Sequence, residues 1–240
     1  MLNQTKSAVV LALGLILSAV IASYTFYAIR SFENTLVVTG SAKTTVKADS
    51  VKWSSSFTRT VTEGSLQSGY AQMARDSKVV NDFLKGQGIA SSSITLTPIF
   101  VDQNYNYNPN GQSGPREYTL RQTVTVSSND IAKIAALANN SQGVINQGVI
   151  FSPGAPEYYY SKLAELRVSL LEDAVKDAKA RAEKLASSSG RSVGVLKSAA
   201  SGVVQVLPPN SVEVSDYGQY DTSTIDKDVM ITVKATFVVR

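Results

Sequence analysis

The sequence predicts an α+β fold: a mainly antiparallel sheet with helices packed on one face, preceded by one transmembrane helix. Three observations predict it. An uncharged apolar run occupies the N-terminal segment. Stretches with period-two alternation recur through the rest of the chain, and between them lie apolar stripes at spacings of three and four. Strands and helices that each bury one face are satisfied by packing layer on layer.

Ala8 to Ile29 reads AVVLALGLILSAVIASYTFYAI, with no charge between Lys6 and Arg30. At about 1.5 Å per residue it spans roughly 33 Å, which matches the hydrocarbon core of a bilayer. Tyr24, Phe26 and Tyr27 gather at one end, where amphipathic rings favour the interface. The α-amine and Lys6 ahead of the run favour a cytoplasmic N-terminus. Arg30, Lys43 and Lys47 behind it weaken that asymmetry. A cleaved signal peptide is the competing reading, with Val20 and Ala22 before a cut at Ser23. The run continues past that point to Ile29, which favours a retained anchor. Both readings export the rest, so the chain divides into a cytoplasmic N-terminus with its anchor (1–30) and one extracytoplasmic domain (31–240), periplasmic where a periplasm exists.

Leu36 to Val46 is a Val/Thr-rich strand, Lys47-Ala48-Asp49 a turn, and Val51, Trp53, Ser55 and Phe57 the inner face of a second strand. The pair is expected to form an antiparallel hairpin. Leu66, Tyr70, Met73, Ser77, Val80 and Leu84 mark one face of a helix, which Gly86 and Gly88 can end. Ile94 to Val101 resumes a strand; Pro98 lacks an N–H, so it is an edge strand or carries a bulge. Asp102 to Glu117 is polar and rich in Asn, Gly and Pro, a long hairpin loop. Tyr118 to Val126 alternates as a strand. Ser128 or Asn129 caps a short helix with Ile131, Ile134, Leu137 and Ala138 inside, and Val144 to Phe151 is a further strand. Pro156 opens the longest helix, which ends near Ser189 at Gly190. Its stripe is Leu163, Leu166, Leu170, Ala174, Ala178, Ala182 and Leu185, and the alanines predict close approach to a neighbour. Val193 to Ala199 is a strand, 201–227 is turn-rich, and the chain ends in a strand with Val229, Ile231, Val233, Ala235, Phe237 and Val239 on one face.

Composition restricts function more than any motif does. The 240 residues contain no Cys and no His. Disulfides, thiolate nucleophiles, His-based triads and His or Cys zinc sites are therefore impossible. A net charge of +4 is spread along the chain rather than gathered in a basic stripe with aromatics, which argues against nucleic acid. Gly86 and Gly88 lack the rest of a dinucleotide fingerprint, and no Ser-x-x-Lys occurs. Asp216, Asp221, Asp226 and Asp228 fit no calcium loop and read as a solvated segment.

Several stretches together resemble the SIMPL domain family, also called DUF541. They are LVVTGSAKTTVKADSVKW (36–53), GIASSSITLTPIF (88–100), YTLRQTVTV (118–126), GVINQGVIFS (143–152), AEKLASSSG (182–190) and VMITVKATFVV (229–239). RSFENTLVVTG (30–40) directly after the apolar run is similar to the membrane-anchored subgroup. The resemblance covers residues 33–240. It implies an envelope domain without established enzymatic activity, with relatives linked to oxidative-stress tolerance and able to form ring-like homo-oligomers; it supplies no catalytic motif. The expectation is a non-enzymatic envelope protein without cofactor or metal, held at the membrane by its N-terminal helix and self-associating. The alternative is a ligand-binding or accessory subunit of another membrane complex. An enzyme working with carboxylates or tyrosine alone is the weakest reading. Candidate partner contacts are Tyr105 and Tyr107 on the polar loop and Tyr158, Tyr159 and Tyr160. The terminal strand and the strand with Pro98 are the expected free edges.

Overall fold

The computed structural model describes residues 2–31, 34–104, 115–211, 213 and 215–240. Helix α1 is Leu2–Ser31. Its segment Ala8–Ile29 is long and apolar enough to cross a membrane and is not buried against the rest of the chain. Then follow β1 (Thr35–Lys47), β2 (Ser50–Thr62), α2 (Leu66–Gly86), β3 (Ile94–Leu96), β4 (Phe100–Asn104) and β5 (Glu117–Ser128). The chain continues with α3 (Ile131–Asn139), α4 (Gln142–Ile145), β6 (Ile150–Ser152), β7 (Pro156–Tyr159) and α5 (Leu163–Ser188). It closes with β8 (Val193–Ser201), β9 (Gln205–Leu207), β10 (Gln219–Tyr220) and β11 (Asp226–Val239).

The fold is α+β, in two sheets that each carry helices on one face. Sheet A holds β1, β11, β8, β9 and β10; sheet B holds β2 to β7. Every strand pair is antiparallel except β9 with β10. Sheet A packs its Val38, Val206, Val229, Ile231, Val233 and Phe237 on Leu170, Ala174, Ala178 and Ala182 of α5. Sheet B packs Trp53, Phe57, Leu120, Val124 and Val126 on Met73, Val80 and Leu84 of α2 and on Ile134 and Leu137 of α3. The alanine stripe of α5 has the expected consequence. A Cβ added to Gly40 of β1 would lie 2.2 Å from Ala174 O and 2.4 Å from Ala178 N, so the helix backbone rests almost on the strand.

The expected β1–β2 hairpin does not form. β1 pairs with β11 from Thr35↔Val238 to Lys47↔Asp226, and β2 with β5 from Val51↔Ser128 to Thr62↔Glu117. The turn between them carries the chain from one sheet to the other: the Ala48 and Asp49 N–H groups donate to Ile225 O at 2.8 Å and Tyr159 O at 2.9 Å. Local alternation establishes a strand but not its partner. Nor is the terminal strand an edge. β11 has β1 on one side and β8 and β9 on the other, which makes it the centre of sheet A. Burial of Val238 as well as Phe237 and Val239 reflects that position.

Other differences are local. Pro156 starts β7, which pairs with β2 from Ser50↔Tyr159 to Trp53↔Pro156, and the long helix begins only at Leu163. Proline without its N–H is as acceptable in an edge strand as in a first helical turn, and the three tyrosines after it favour the strand. Residues 144–151 divide into α4, a turn at Gly148 with φ +77°, and the short β6. Asp130 caps α3 by accepting from Lys133 N–H at 3.0 Å, while Ser128 Oγ accepts from Asp130 N–H. Ala186 replaces Leu185 in the buried stripe of α5, and in α2 Gly69 and Asp76 are buried where Tyr70 and Ser77 were expected. Pro98 does interrupt its strand: β3 and β4 flank it and pair with β5 alone, as an edge.

Candidate functional site

Sheet A is incomplete beside β11. β8 pairs with Val233 to Val239 and β9 with Asp228 to Met230. Between them the chain leaves the sheet at Gly202–Val204, tied back by Gly202 N–H donating to Thr232 O at 2.8 Å. The approach is close enough that a Cβ on Gly202 would sit 2.5 Å from Thr232 Oγ1.

Two cavities flank this gap. One of about 620 Å³ lies toward the start of α5, lined by Leu163, Arg167, Val203, Val206, Tyr217 and Tyr220 among others. The other, about 250 Å³, is lined by Gly202, Val203, Gln205, Ser215, Asp216, Met230, Ile231 and Thr232. Two buried side-chain oxygens lack a partner among the described residues, Gln122 Oε1 in sheet B and Gln205 Oε1 beside the smaller cavity.

Next to the cavities, Lys227 is fully buried. Its ammonium donates to Asp221 O at 2.5 Å, lies 3.4 Å from Asp221 Oδ2 and sits 5.8 Å from the centre of the Tyr220 ring. Burial pushes the Lys227 ammonium down, partly offset by Asp221. Burial alone would raise Asp221, but the hydroxyl and N–H groups of Ser223 and Thr224 outweigh it and hold the carboxyl far below the ordinary range. Asp228 is held low by Lys43 at 2.7 Å and by the Thr45 hydroxyl at 2.7 Å. Two of the four aspartates expected in a solvated segment are therefore paired, Asp228 buried and Asp221 half-buried. Among the described residues no group of three or more Asp or Glu is placed to hold a metal ion.

The tyrosines expected as partner contacts take a different place. Tyr158 N–H donates to Thr222 O at 2.7 Å, and its side chain packs on the core of sheet B. The Tyr159 ring lies 5.9 Å from that of Tyr220, and its hydroxyl donates to Glu157 at 2.8 Å. Tyr160 N–H donates to the Tyr220 hydroxyl at 2.9 Å. Together they form the seam where sheet B meets the loops of sheet A. Tyr105 and Tyr107 lie outside the described residues. Sequence reasoning passed over Arg167, Gln205 and Tyr217, and weighed Asp216 only as part of a calcium loop whose spacing it does not fit. The only local signals were Gly202 and Gly218, the latter at φ +84°, which mark backbone turns rather than ligands.

The sheet edges differ in how they are guarded. On β1, Ser41 N–H donates to Asp177 of α5 at 2.8 Å, and Lys43 and Lys47 stand on the same strand. Pro98 breaks the β3–β4 edge, and Pro153 and Pro156 break the β6–β7 edge. β8 has no proline; it runs for nine residues, VGVLKSAAS, with Lys197 as its one charge and two register shifts against β11, and Val195 and Leu196 are 59% and 45% exposed. No strand lies on its outer side among the described residues.

A model of the SIMPL family, described as a protein of unknown function (DUF541), matches residues 36–237. No curated protein matches the chain.

Proposed function

This chain belongs to the SIMPL (DUF541) family, and from that premise we propose that it is a non-enzymatic, membrane-anchored envelope protein whose exported domain self-associates. The observation that carries the reading is the outer edge of β8, nine residues long without proline, which no strand covers among the described residues and which exposes Val195 and Leu196. Edges of that kind recruit another strand unless charge, proline or a covering element prevents it. A second copy is the occupant at hand, because a shared membrane anchor raises the effective concentration of copies and makes modest contacts sufficient. Anchoring by Ala8–Ile29 with residues 31–240 outside the cytoplasm is supported by the helix length and by the charge ahead of it. A part in tolerance of oxidative or envelope stress belongs to this reading and rests on the resemblance alone.

The test is the mass of the full chain in mild detergent, by native mass spectrometry and sedimentation. The expected result is a defined homo-oligomer that Val195→Lys with Leu196→Lys converts to a monomer with an unchanged circular dichroism spectrum. A wild-type monomer at tens of micromolar, or an oligomer indifferent to the two lysines, overturns self-association through β8. Protease added to spheroplasts should remove the domain; full protection overturns the topology. The two cavities beside β9 favour a second reading, a ligand-binding accessory subunit, which a monomeric wild type would bring forward.

A further inference from the structure

We infer that the end of sheet A next to the anchor rests on the membrane and binds anionic lipid headgroups through Lys184, Arg191 and Arg240. Chain continuity supplies the place. Helix α1 ends at Ser31, and Asn34 is already bonded to sheet A, its carbonyl accepting from Val239 N–H at 2.9 Å. Three residues of chain reach about 11 Å at most. With Ile29 at the edge of the hydrocarbon, the headgroup layer takes up about 5–8 Å of that path. Asn34 is therefore held within side-chain reach of the headgroups. The same row of the sheet continues from Val239 to Val193, and Ser192 and Arg240 exchange backbone hydrogen bonds at 2.8 and 3.0 Å. Arg240 and Arg191 thus stand just past the last rungs of β11 and β8, at the end where the anchor enters. The last turns of α5 reach the same end, since Arg191 N–H donates to Ala186 O at 2.9 Å.

Charge supplies the partner. The segments 34–48, 184–212 and 229–240 contain no Asp or Glu. The acidic residues on the strands of sheet A are Asp226 and Asp228, at the opposite end, where β1 finishes at Lys47. Glu33 lies in the link itself, offset by Arg30. The nearest acids of α5, Asp177 and Glu183, are engaged by Arg181 at 2.8 Å and Lys179 at 3.9 Å. Lys184, Arg191 and Arg240 are exposed and make no ion pair among the described residues. Leu185 beside them is 52% exposed, apolar surface that the headgroup boundary accepts. A basic residue near an anionic leaflet is worth about fivefold in binding, and the attraction fades within a Debye length, so closeness decides. A soluble polyanion would meet the same cations, but the anchor presents lipid at a far higher effective concentration. This contact rests on the anchoring proposed for Ala8–Ile29.

The experiment uses the full chain, one copy per lipid nanodisc, with nitroxides on the lipid headgroups as quenchers. The chain has no cysteine, so Ser188→Cys and Lys47→Cys each place a single fluorophore, the first at this end and the second at the far end of β1, about 40 Å away along the strand. The Ser188 label should be quenched in discs containing phosphatidylglycerol. Quenching should be several-fold weaker in pure phosphatidylcholine and at about 1 M salt, where the Debye length is about 3 Å. The Lys47 label should stay bright throughout. Lys184→Gln with Arg191→Gln should lower the ratio of docked to undocked chains about twentyfold in the anionic discs, with an unchanged circular dichroism spectrum. Equal quenching in the two lipids, indifference to salt, or a double variant that behaves like the parent overturns the contact. A Lys47 label quenched more strongly than the Ser188 label overturns the orientation. Intact mass separates the premise from the contact. A chain starting at Ser23 overturns the anchoring and the contact with it, whereas a retained anchor with lipid-independent quenching overturns the contact alone. One copy per disc keeps self-association through β8 out of the result.

Discussion

Sheets A and B are built from similar parts and solve different problems. Sheet B buries its largest side chains. Trp53 is wholly inside, its Nε1–H donates to Gly154 O at 2.8 Å, and its ring meets Phe151 edge-on at 6.2 Å. A partly buried ion pair crosses from sheet to helix, Arg59 to Asp76 at 2.6 Å, with Gln72 also donating to Asp76. Prolines close both edges. Sheet A is held instead by small residues in close approach, Gly40 against Ala174 and Ala178, and β8 is its proline-free edge. Among the described residues each layer keeps a cavity and one unpaired buried acceptor, Gln205 Oε1 in sheet A and Gln122 Oε1 in sheet B. The two layers thus differ in how their cores are packed and in how their edges are closed.

The comparison breaks most readily in sheet B. Trp53→Ala should cost about 3–5 kcal/mol by transfer and cavity terms. Asp76→Ala should cost less, about 1–3 kcal/mol, because the partly exposed Arg59 guanidinium loses its carboxylate but keeps Gly148 O as an acceptor. Chemical denaturation gives the magnitude, and hydrogen exchange gives the location. Strands β2 and β5 should lose protection before β1 and β11. Uniform loss across both sheets would show that they unfold as one unit and that the division is only geometric.

Gly40→Ala tests the other sheet. A methyl group set against the α5 backbone forces strand and helix apart, at about 1–3 kcal/mol, and the order of lost protection should reverse. A smaller effect follows from acid. Asp221, Asp177 and Asp228 are all held below the ordinary carboxylate range in the folded chain, so the unfolded chain binds more protons. Stability from these groups is complete above the unfolded value of about 4 and is lost as pH falls through the folded values. Asp221→Asn should flatten the acid limb of the stability profile; an unchanged limb would remove Asp221 from the account. At the small end, Glu172→Gln breaks the solvent-exposed pair with Lys176, 2.7 Å apart on α5, and should leave the denaturation midpoint unchanged, because solvent screens the pair.

Much of this architecture was legible in the sequence. The apolar run, the α2 helix, the alanine stripe of α5, the interruption at Pro98 and the alternation of β2, β5 and β11 follow from periodicity and from what proline and glycine can adopt. Those signals are local, because a strand's period or a helix's stripe is set by its own residues. Pairing is not local. Val-Thr strands are interchangeable as partners, so nothing in 36–58 said that β1 would join β11 across the length of the chain while β2 joined β5. Pro156 stood equally well at a helix start or in an edge strand, and only the vacancy beside Ser50–Trp53 decided for β7. The candidate site was hidden for the same reason. Gln205 and Asp216 are ordinary residues in a turn-rich stretch, and they come to line one cavity only because β8 and β9 leave a gap over Thr232. Composition excluded His and Cys chemistry outright, since no fold can supply an atom the chain lacks. Which acceptor goes unpaired, and which edge stays uncovered, depends on what neighbouring strands and helices cover, and that was decided by tertiary structure alone.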